Sequence, residues 1–395
     1  MRTITVVGGS LGGYSAAQQL RAQGFDGRLV VVGTEVHLPY DRPPLSKDFL
    51  KGQIGTADLA LGEQQDFDEL EAEWRLGEFA ARLRPADAGI ELYSGEQIGT
   101  DGVVIATGAS TRVLPGSAGV GGVHTLRTLE DAQALREELT TGRPNVVVIG
   151  AGFIGAEVAS SCAALGLDVT IVEAAELPLA RVLGTRLASA CAALHSEHGV
   201  AVRFGAGVEE LRSAAGHVVG VRLATGEELP ADVVVAGIGV QPNTGWLSGS
   251  GLSLHDGVLC DSGGVTDLSN VVAVGDVARV FRPDLGRNVR TEHWATANGQ
   301  PRIAVRNLLD GITNEQHTDM PYFWSDQYGV RIQFAGFVHP EDDVRIIDGD
   351  IEDRCFLAQY ERDGRPVGVL AFNHPRGFGR ARRQLSRPTL DVATS

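Results

Sequence analysis

Lysine is nearly absent from this sequence. Only Lys47 and Lys51 stand among 34 basic residues, and the rest are arginine. Such a bias usually reflects the genome, yet a lysine kept against it points to a place where a compact ammonium does what a planar guanidinium cannot. Cysteine is scarce and scattered. Cys162, Cys191, Cys260 and Cys355 lie 29, 69 and 95 residues apart, which excludes a C-x-x-C redox pair and a cysteine metal site. Long apolar runs are missing: no stretch reaches the roughly 18 residues of a membrane span, and no basic then apolar leader opens the chain. The expectation is a soluble cytoplasmic protein with free thiols and no membrane attachment. Positive charge is in deficit, 34 − 50 = −16. That argues against a nucleic-acid binder and leaves a solvated acidic surface.

Glycine is what abounds, at 51 of 395 residues, about 13% against a usual share of roughly 7%. No G-x-y period accompanies it, so collagen is excluded and tight turns and close backbone approaches are implied. Apolar residues at 43% suffice for several cores, and two or three domains are expected at this length.

One unit occurs twice. Residues 3–7 read as a buried strand, Gly8-Gly9-Ser10-Leu11-Gly12-Gly13 as a turn, the run to about Gln23 as a helix, and 28–33 as a second strand ending at Glu35. Asn145–Ile149, Gly150-Ala151-Gly152-Phe153-Ile154-Gly155, a helix to about Leu165 and the strand ending at Glu173 repeat it at an offset of 142. Shorter strands echo the duplication at Val103–Gly108, Val233–Gly239 and 271–278. The fold expected is α/β, with two Rossmann-like domains, the second inserted in the first. The first domain takes 1–108 and 241–311, and the second 109–240. Residues 312–395, with alternating runs such as VRIQFAGF and PVGVLAF, suit a C-terminal α+β domain with an antiparallel sheet.

The second turn carries the full dinucleotide fingerprint. Gly150 permits the tight turn, Gly152 lets a pyrophosphate approach the backbone, and Gly155 lets helix and strand pack. Phe153 and Ile154, between the glycines, join them as candidate NAD-binding residues. Glu173, 23 residues after Gly150, suits the adenosine ribose hydroxyls and would repel a 2′-phosphate, favouring NAD over NADP. Arg181 is near enough in sequence to count as a further candidate. The first turn departs from the fingerprint, with Ser10 at the middle glycine, while Glu35 supplies its acid 27 residues after Gly8. Ala106-Thr107-Gly108 and Gly275-Asp276 follow strands and suit a flavin nucleotide, Asp276 being alternatively a helix cap.

The segment Leu38-Pro39-Tyr40-Asp41-Arg42-Pro43-Pro44-Leu45-Ser46-Lys47 is stiffened by its prolines. Lys47 reads either as a solvated cation or as an ammonium that stabilises a reduced flavin. Ser46 or Asp48 could cap a helix. His195 and His198 have a metal-compatible i, i+3 spacing, but no third ligand stands nearby. No metal is expected, and the pair is read as a surface helix end. Cys162 and Cys191 are read as helix-core residues. Arg376, Arg380, Arg382, Arg383 and Arg387 form a basic run, which is a solvated helix face or a docking patch for an acidic partner.

Taken together, GGSLGG, PYDRPPLSK, ATG, GAGFIGAE, GIG, GDVA and EHW resemble the FAD-dependent, NADH-using ferredoxin reductases of the putidaredoxin reductase and oxygenase-component type, within the pyridine-nucleotide:disulfide oxidoreductase superfamily. The resemblance covers essentially the whole chain. It implies FAD contacts from Gly8, Ser10, Gly13, Glu35, Arg42, Lys47, Asp276, His293 and Trp294, with Trp324 near the flavin ring. His293 is on its own residues equally a packed histidine. The resemblance assigns Gly150, Gly152, Gly155, Glu157, Glu173 and Gly239 to NADH. It also implies that Lys47 and Glu157 approach each other as the catalytic pair near the flavin–nicotinamide junction. The cysteine pair of the superfamily's disulfide reductases is missing, so electrons must leave the flavin directly.

The function expected is hydride transfer from NADH to FAD, then single electrons to a 2Fe–2S ferredoxin that serves an oxygenase such as a cytochrome P450. The alternative is an NADH oxidase or a reductase of rubredoxin, quinone or other small acceptors. A non-catalytic nucleotide-sensing protein is a third reading, opposed by the intact glycines and by Lys47.

Overall fold

The computed structural model describes residues 1–85 and 89–385. Its helices, in chain order, are α1 Leu11–Ala22, α2 Gln64–Asp68, α3 Leu129–Thr140, α4 Phe153–Ala164, α5 Ala180–Glu197, α6 Trp294–Asp310 and α7 Pro375–Leu385. The chain divides into two compact units, the first built from Met1–Arg42, Thr56–Ser110 and Val240–Thr318.

The first unit centres on a five-stranded parallel sheet in the order Val271–Ala273, Gly102–Ile105, Thr3–Val7, Arg28–Gly33, Ala72–Leu76. Ile4 pairs with Leu29 and Val6 with Val31. Side chains alternate along a strand, and both faces of this sheet are covered, so the strands read as nearly unbroken apolar runs. Ile4, Val6, Leu29 and Val31 share one core with Ala16, Ala17 and Leu20 of α1 and Ala304, Val305 and Leu308 of α6. Val7, Val30, Val32, Val103 and Ile105 enter the opposite core with Leu83, Ile90, Val258 and Val280.

The second unit takes in Pro43–Gly55, Thr111–Gly239 and the described residues from Asp319 onward. Its parallel sheet runs in the order Ala201–Phe204, Asp168–Glu173, Asn145–Ile149, Val233–Ala236, Val123–His124. The strands Asn145–Ile149 and Asp168–Glu173 have the bounds expected from sequence. A second, antiparallel sheet of five strands follows: Tyr322–Gln327, Val330–Gly336, Arg365–Phe372, Cys355–Arg362, Asp343–Asp350. Its core stacks Phe356 on Phe372, ring centroids 4.7 Å apart. Leu183, Leu187 and Leu194 of α5 join that core. The architecture is therefore the α/β arrangement of two parallel Rossmann-like sheets with an antiparallel C-terminal sheet.

One expectation is overturned. His195 is not at a surface helix end: it is 2% exposed, and its Nδ1 lies 2.9 Å from the Tyr328 hydroxyl. The apolar face of α5 carries it inward, and only His198 reaches solvent. Cys162 and Cys191 are buried within α4 and α5, as expected of helix-core residues. Arg387 lies outside the described residues.

Candidate active site

In the first unit the strand Thr3–Val7 runs into Gly8, whose φ of +124° only glycine adopts without strain. A Cβ at Gly8 would stand 2.0 Å from the Ala106 carbonyl oxygen, and one at Gly13 would stand 1.8 Å from that of Gly8. Turn, helix and the Ala106 step that follows the strand Gly102–Ile105 are thus packed backbone to backbone. Ser10 is the N-cap residue of α1, but its hydroxyl makes no capping bond. Instead it accepts from Arg42 Nε at 3.3 Å. Arg42 also donates to the Tyr40 hydroxyl at 3.1 Å. It pairs with one oxygen of Glu35, and the Tyr40 hydroxyl donates to the other. Burial opposes the Arg42 charge, yet Tyr40, Glu35 and Asp276 outweigh it and raise its pKa.

The Ala106-Thr107-Gly108 turn is tied to Asn243. The Thr107 hydroxyl donates to the Asn243 carbonyl at 2.9 Å, the Asn243 amide returns a bond to the Thr107 carbonyl at 2.9 Å, and the Asn243 N–H donates to the Gly108 carbonyl at 3.0 Å. Asp276 sits in a 3-10 turn, Gly275–Val277, rather than at a helix cap. The Gly275 N–H donates to Gln300 of α6 at 2.8 Å. His293 begins α6 as its N-cap residue, and burial pushes it down to about 4 despite Asp276 nearby. Trp294 Nε1 donates to Asp41 at 2.7 Å.

In the second unit the two leading glycines differ in an informative way. A Cβ at Gly150 would strike the Gly237 carbonyl oxygen at 2.3 Å, whereas one at Gly152 would meet nothing within 4 Å. The protein's own backbone demands glycine at 150 but not at 152. The space left at Gly152 is room for a group from outside, at the N-terminus of α4, whose first turn carries no acidic residue. Glu173 accepts the Ala151 and Ala175 N–H groups, each at 2.9 Å, one on each oxygen. Both oxygens keep a lone pair for a ribose hydroxyl. The Phe153 ring packs on Phe323, 4.6 Å between centroids, while Ile154 is 50% exposed. The Gly239 carbonyl accepts from the Arg112 N–H at 2.9 Å. Arg181 is exposed in the first turn of α5.

The same unit brings Lys47 and Glu157 together. Nζ donates to Glu157 Oε2 at 2.6 Å and to the Pro43 carbonyl at 3.0 Å. Glu157 projects from α4 and is 2% exposed, and the Lys47 side chain is 13% exposed, so Lys47 is not a solvated cation. Trp324 lies on the strand Tyr322–Gln327, stacked on Tyr322 with centroids 5.9 Å apart. Burial alternates along that strand: Phe323, Ser325 and Gln327 turn inward, Trp324 to the other face.

All four cysteines are free. Burial pushes the thiols of Cys162, Cys191 and Cys260 up to about 12, so none of these three is a thiolate at neutral pH.

The sequence profile of the pyridine nucleotide-disulphide oxidoreductase family matches residues 2–300, and that of the reductase C-terminal domain matches 322–393. The chain belongs to the pyridine nucleotide-disulphide oxidoreductase family. Among its relatives, rhodocoxin reductase of Rhodococcus erythropolis is 36% identical over 97% of this chain and 89% of its own. The ferredoxin–NAD(+) reductase component of the anthranilate 1,2-dioxygenase system of Burkholderia cepacia is 35% identical over 98% of both chains. The crystal structure of the covalent putidaredoxin reductase–putidaredoxin complex matches with a TM-score of 0.92 at 30% identity, covering 98% of this chain and 93% of that one. The cofactors of this pyridine nucleotide-disulphide oxidoreductase are FAD and NAD(H). The open space at Gly152 and the acid at Glu173 fit a dinucleotide. The Gly8–Gly13 turn with Glu35 and Arg42 fits a second one.

The roles of three polar residues of this pyridine nucleotide-disulphide oxidoreductase escape a motif-based reading, among them Ser46, which lies in the PYDRPPLSK segment and reads there only as a possible helix cap. Ser46 and Ser325 both donate to Glu157, and Asn243 closes the 106–108 turn.

Proposed function

We propose that this chain is an NADH:ferredoxin reductase that delivers single electrons to a 2Fe–2S ferredoxin serving an oxygenase such as a cytochrome P450, working in the cytoplasm. What supports the reading is the pairing of two dinucleotide turns with cysteines that are all free. The relatives named above as ferredoxin–NAD(+) reductase components and the putidaredoxin complex support the choice of partner. Among the described residues, no helix is long and apolar enough to cross a membrane.

Bound FAD supplies a two-electron acceptor that can release its electrons one at a time. In this reading Gly8, Ser10, Gly13, Glu35, Arg42, Ala106–Gly108, Asp276, His293, Trp294 and Trp324 serve FAD. The N-terminus of α4 takes the NADH pyrophosphate at Gly150, Gly152, Phe153, Ile154 and Gly155, Glu173 takes the adenosine ribose, and Gly239 and Arg181 flank the same nucleotide. Lys47 provides a compact positive charge, and Glu157 fixes where that charge stands. The chain's contribution is chiefly positioning, since hydride transfer needs its two partners held in register. The exposed arginines of α7 offer an acidic ferredoxin a complementary surface.

The test is anaerobic titration of the flavin-loaded protein with NADH and with NADPH, followed by candidate ferredoxins. NADH is expected to bleach the flavin band, and a ferredoxin to restore it with one-electron stoichiometry. Bleaching by NADPH alone would overturn the nucleotide assignment. Rapid NADH oxidation by oxygen or quinone, with no ferredoxin turnover, would replace the ferredoxin reading with that of an oxidase or small-acceptor reductase.

A further inference from the structure

We infer that Ser325 and Ser46 are positioning residues for the Lys47–Glu157 pair, an inference that rests on the reading of that pair as the chemistry-bearing groups. Ser325 Oγ accepts from Gln327 Nε2 at 3.0 Å, so its single proton is directed to Glu157 Oε1 at 2.6 Å. Ser46 Oγ donates to the other oxygen, Oε2, at 2.6 Å, beside Lys47 Nζ on the same atom. The carboxylate is therefore shared. One oxygen is fixed by the strand Tyr322–Gln327, and the other is fixed by the loop that carries Lys47.

The helix that bears Glu157 reinforces both attachments. Glu157, Ser160 and Ser161 stand at i, i+3 and i+4, on one face of α4. Ser161 Oγ donates to the Ser46 carbonyl at 2.7 Å, and Ser160 Oγ accepts the Tyr328 N–H at 2.7 Å. The loop, and the strand together with the turn that follows it at Tyr328, are thus each tied to α4 twice, once through the carboxylate and once through a serine. A buried carboxylate that keeps one oxygen unpartnered rotates toward whatever donors remain. Without the Ser325 hydroxyl, Oε1 loses the donor that sets the carboxylate plane, and Nζ is no longer held to a single position. Displacements of about 1 Å at such groups cost up to about a hundredfold in rate.

The experiment measures the limiting rate of anaerobic flavin reduction by NADH, the NADH affinity and the flavin midpoint potential in flavin-loaded Ser325→Ala, Ser46→Ala, Glu157→Gln and the Ser325→Ala/Glu157→Gln double variant. Ser325→Ala and Ser46→Ala are each expected to lower the limiting rate about tenfold, with NADH affinity within about twofold of the parent. The midpoint potential should move in the direction Glu157→Gln moves it. The double variant should be no slower than Glu157→Gln alone, because the serine acts only through the carboxylate. Ser46 lies in the loop, so its variant tests the idea even where Ser325→Ala fails to fold. An unchanged rate and potential in Glu157→Gln would sink the reading of the pair itself. A slow Glu157→Gln beside normal serine variants, or rate losses that multiply in the double variant, would overturn the positioning role.

Discussion

A Cβ on Gly155 would stand 2.0 Å from the carbonyl oxygen of Gly150. The contact is between two backbones, so no side chain can yield to relieve it. It lets α4 start directly over the turn, and the first unit repeats it at Gly13 and Gly8. Gly155→Ala is therefore expected to destabilise the protein by about 3 kcal/mol, at the upper end of overpacking. Gly152→Ala should cost under about 1 kcal/mol, since its methyl meets only open space. Yet it should weaken NADH binding by at least about tenfold, because the proposed NADH site needs that space for the approach of a pyrophosphate. Urea unfolding and NADH titration of both variants check the contrast. Equal binding losses at equal stability would remove the distinction.

The parallel sheets were legible because their strands are covered on both faces. Val146–Ile149 is an unbroken apolar run and Ile4–Val7 is broken only by the β-branched Thr5, a pattern no surface strand would tolerate, and each runs into glycines with a steric need. The strands Asp343–Asp350 and Tyr322–Gln327 were not legible. The first is largely exposed and acidic, an edge strand whose pattern resembles a loop. The second hides Ser325 and Gln327 among its inward residues, so hydropathy alone does not show its buried face.

Glu173 spends its two oxygens on the N–H groups of Ala151 and Ala175, so its charge is fixed at the mouth of the turn. A ribose 2′-phosphate brought there would face a carboxylate with no adjacent cation in the Ala174-Ala175 step. Glu173→Gln removes the repulsion at the cost of one backbone bond. Discrimination between NADH and NADPH is expected to narrow by about tenfold, roughly 1.4 kcal/mol, mostly through tighter NADPH binding. Dissociation constants for both nucleotides check this. An unchanged ratio would place the discrimination elsewhere.

His195 gives stability an acid limb. Burial, aided by His198, pushes the imidazole down from 6.5 to about 4. Tyr328, whose hydroxyl meets Nδ1, is itself pushed up by burial, so it stays neutral. Above pH 6.5 the ring is neutral both folded and unfolded. Between about 6.5 and 4 the unfolded chain binds the proton first, and stability falls with pH by up to roughly 3 kcal/mol from this group. His293, also pushed down to about 4, adds a loss of the same sign. His195→Leu should be less stable at pH 7 but lose less between pH 7 and 5 than the parent. Urea midpoints at the two pH values measure it, and parallel losses would refute the assignment.

The site was readable where it is made of backbone and of the acids, Glu35 and Glu173, that follow each glycine turn at a set distance. Gly8, Gly13, Gly150 and Gly155 are dictated by close approaches that any chain with this turn must make. The polar clamp around Glu157 is different in kind. Ser46, Glu157 and Ser325 are separated by 111 and 168 residues, and only the fold brings their oxygens within 2.6 Å. Lys47 announced itself, because the sequence uses lysine almost nowhere else, and Glu157 entered through the resemblance carried by GAGFIGAE, whereas Ser46 and Ser325 had no role assigned beside them.

Arg376, Arg380 and Arg383 form an exposed stripe at i, i+4 and i+7 along α7. Phe378 and Ala381 bury the opposite face against Leu357, Val369 and Ala371. Arg382 lies instead over the Tyr322 ring, its guanidinium carbon 4.4 Å from the centroid, and belongs to the packing rather than the stripe. Positive charge concentrated on a protein of net charge −16 creates a local field that an acidic partner meets first. The triple variant Arg376→Ala/Arg380→Ala/Arg383→Ala should reduce an acidic ferredoxin about tenfold more slowly at an ionic strength near 0.01 M, where charges act over roughly 30 Å. The deficit should shrink as salt is added, while NADH-driven reduction of a small artificial acceptor stays at the parental rate. A parental rate and salt dependence with ferredoxin would show that the stripe is only a solvated helix face. A loss of rate with every acceptor would mean that α7 supports the fold rather than the encounter.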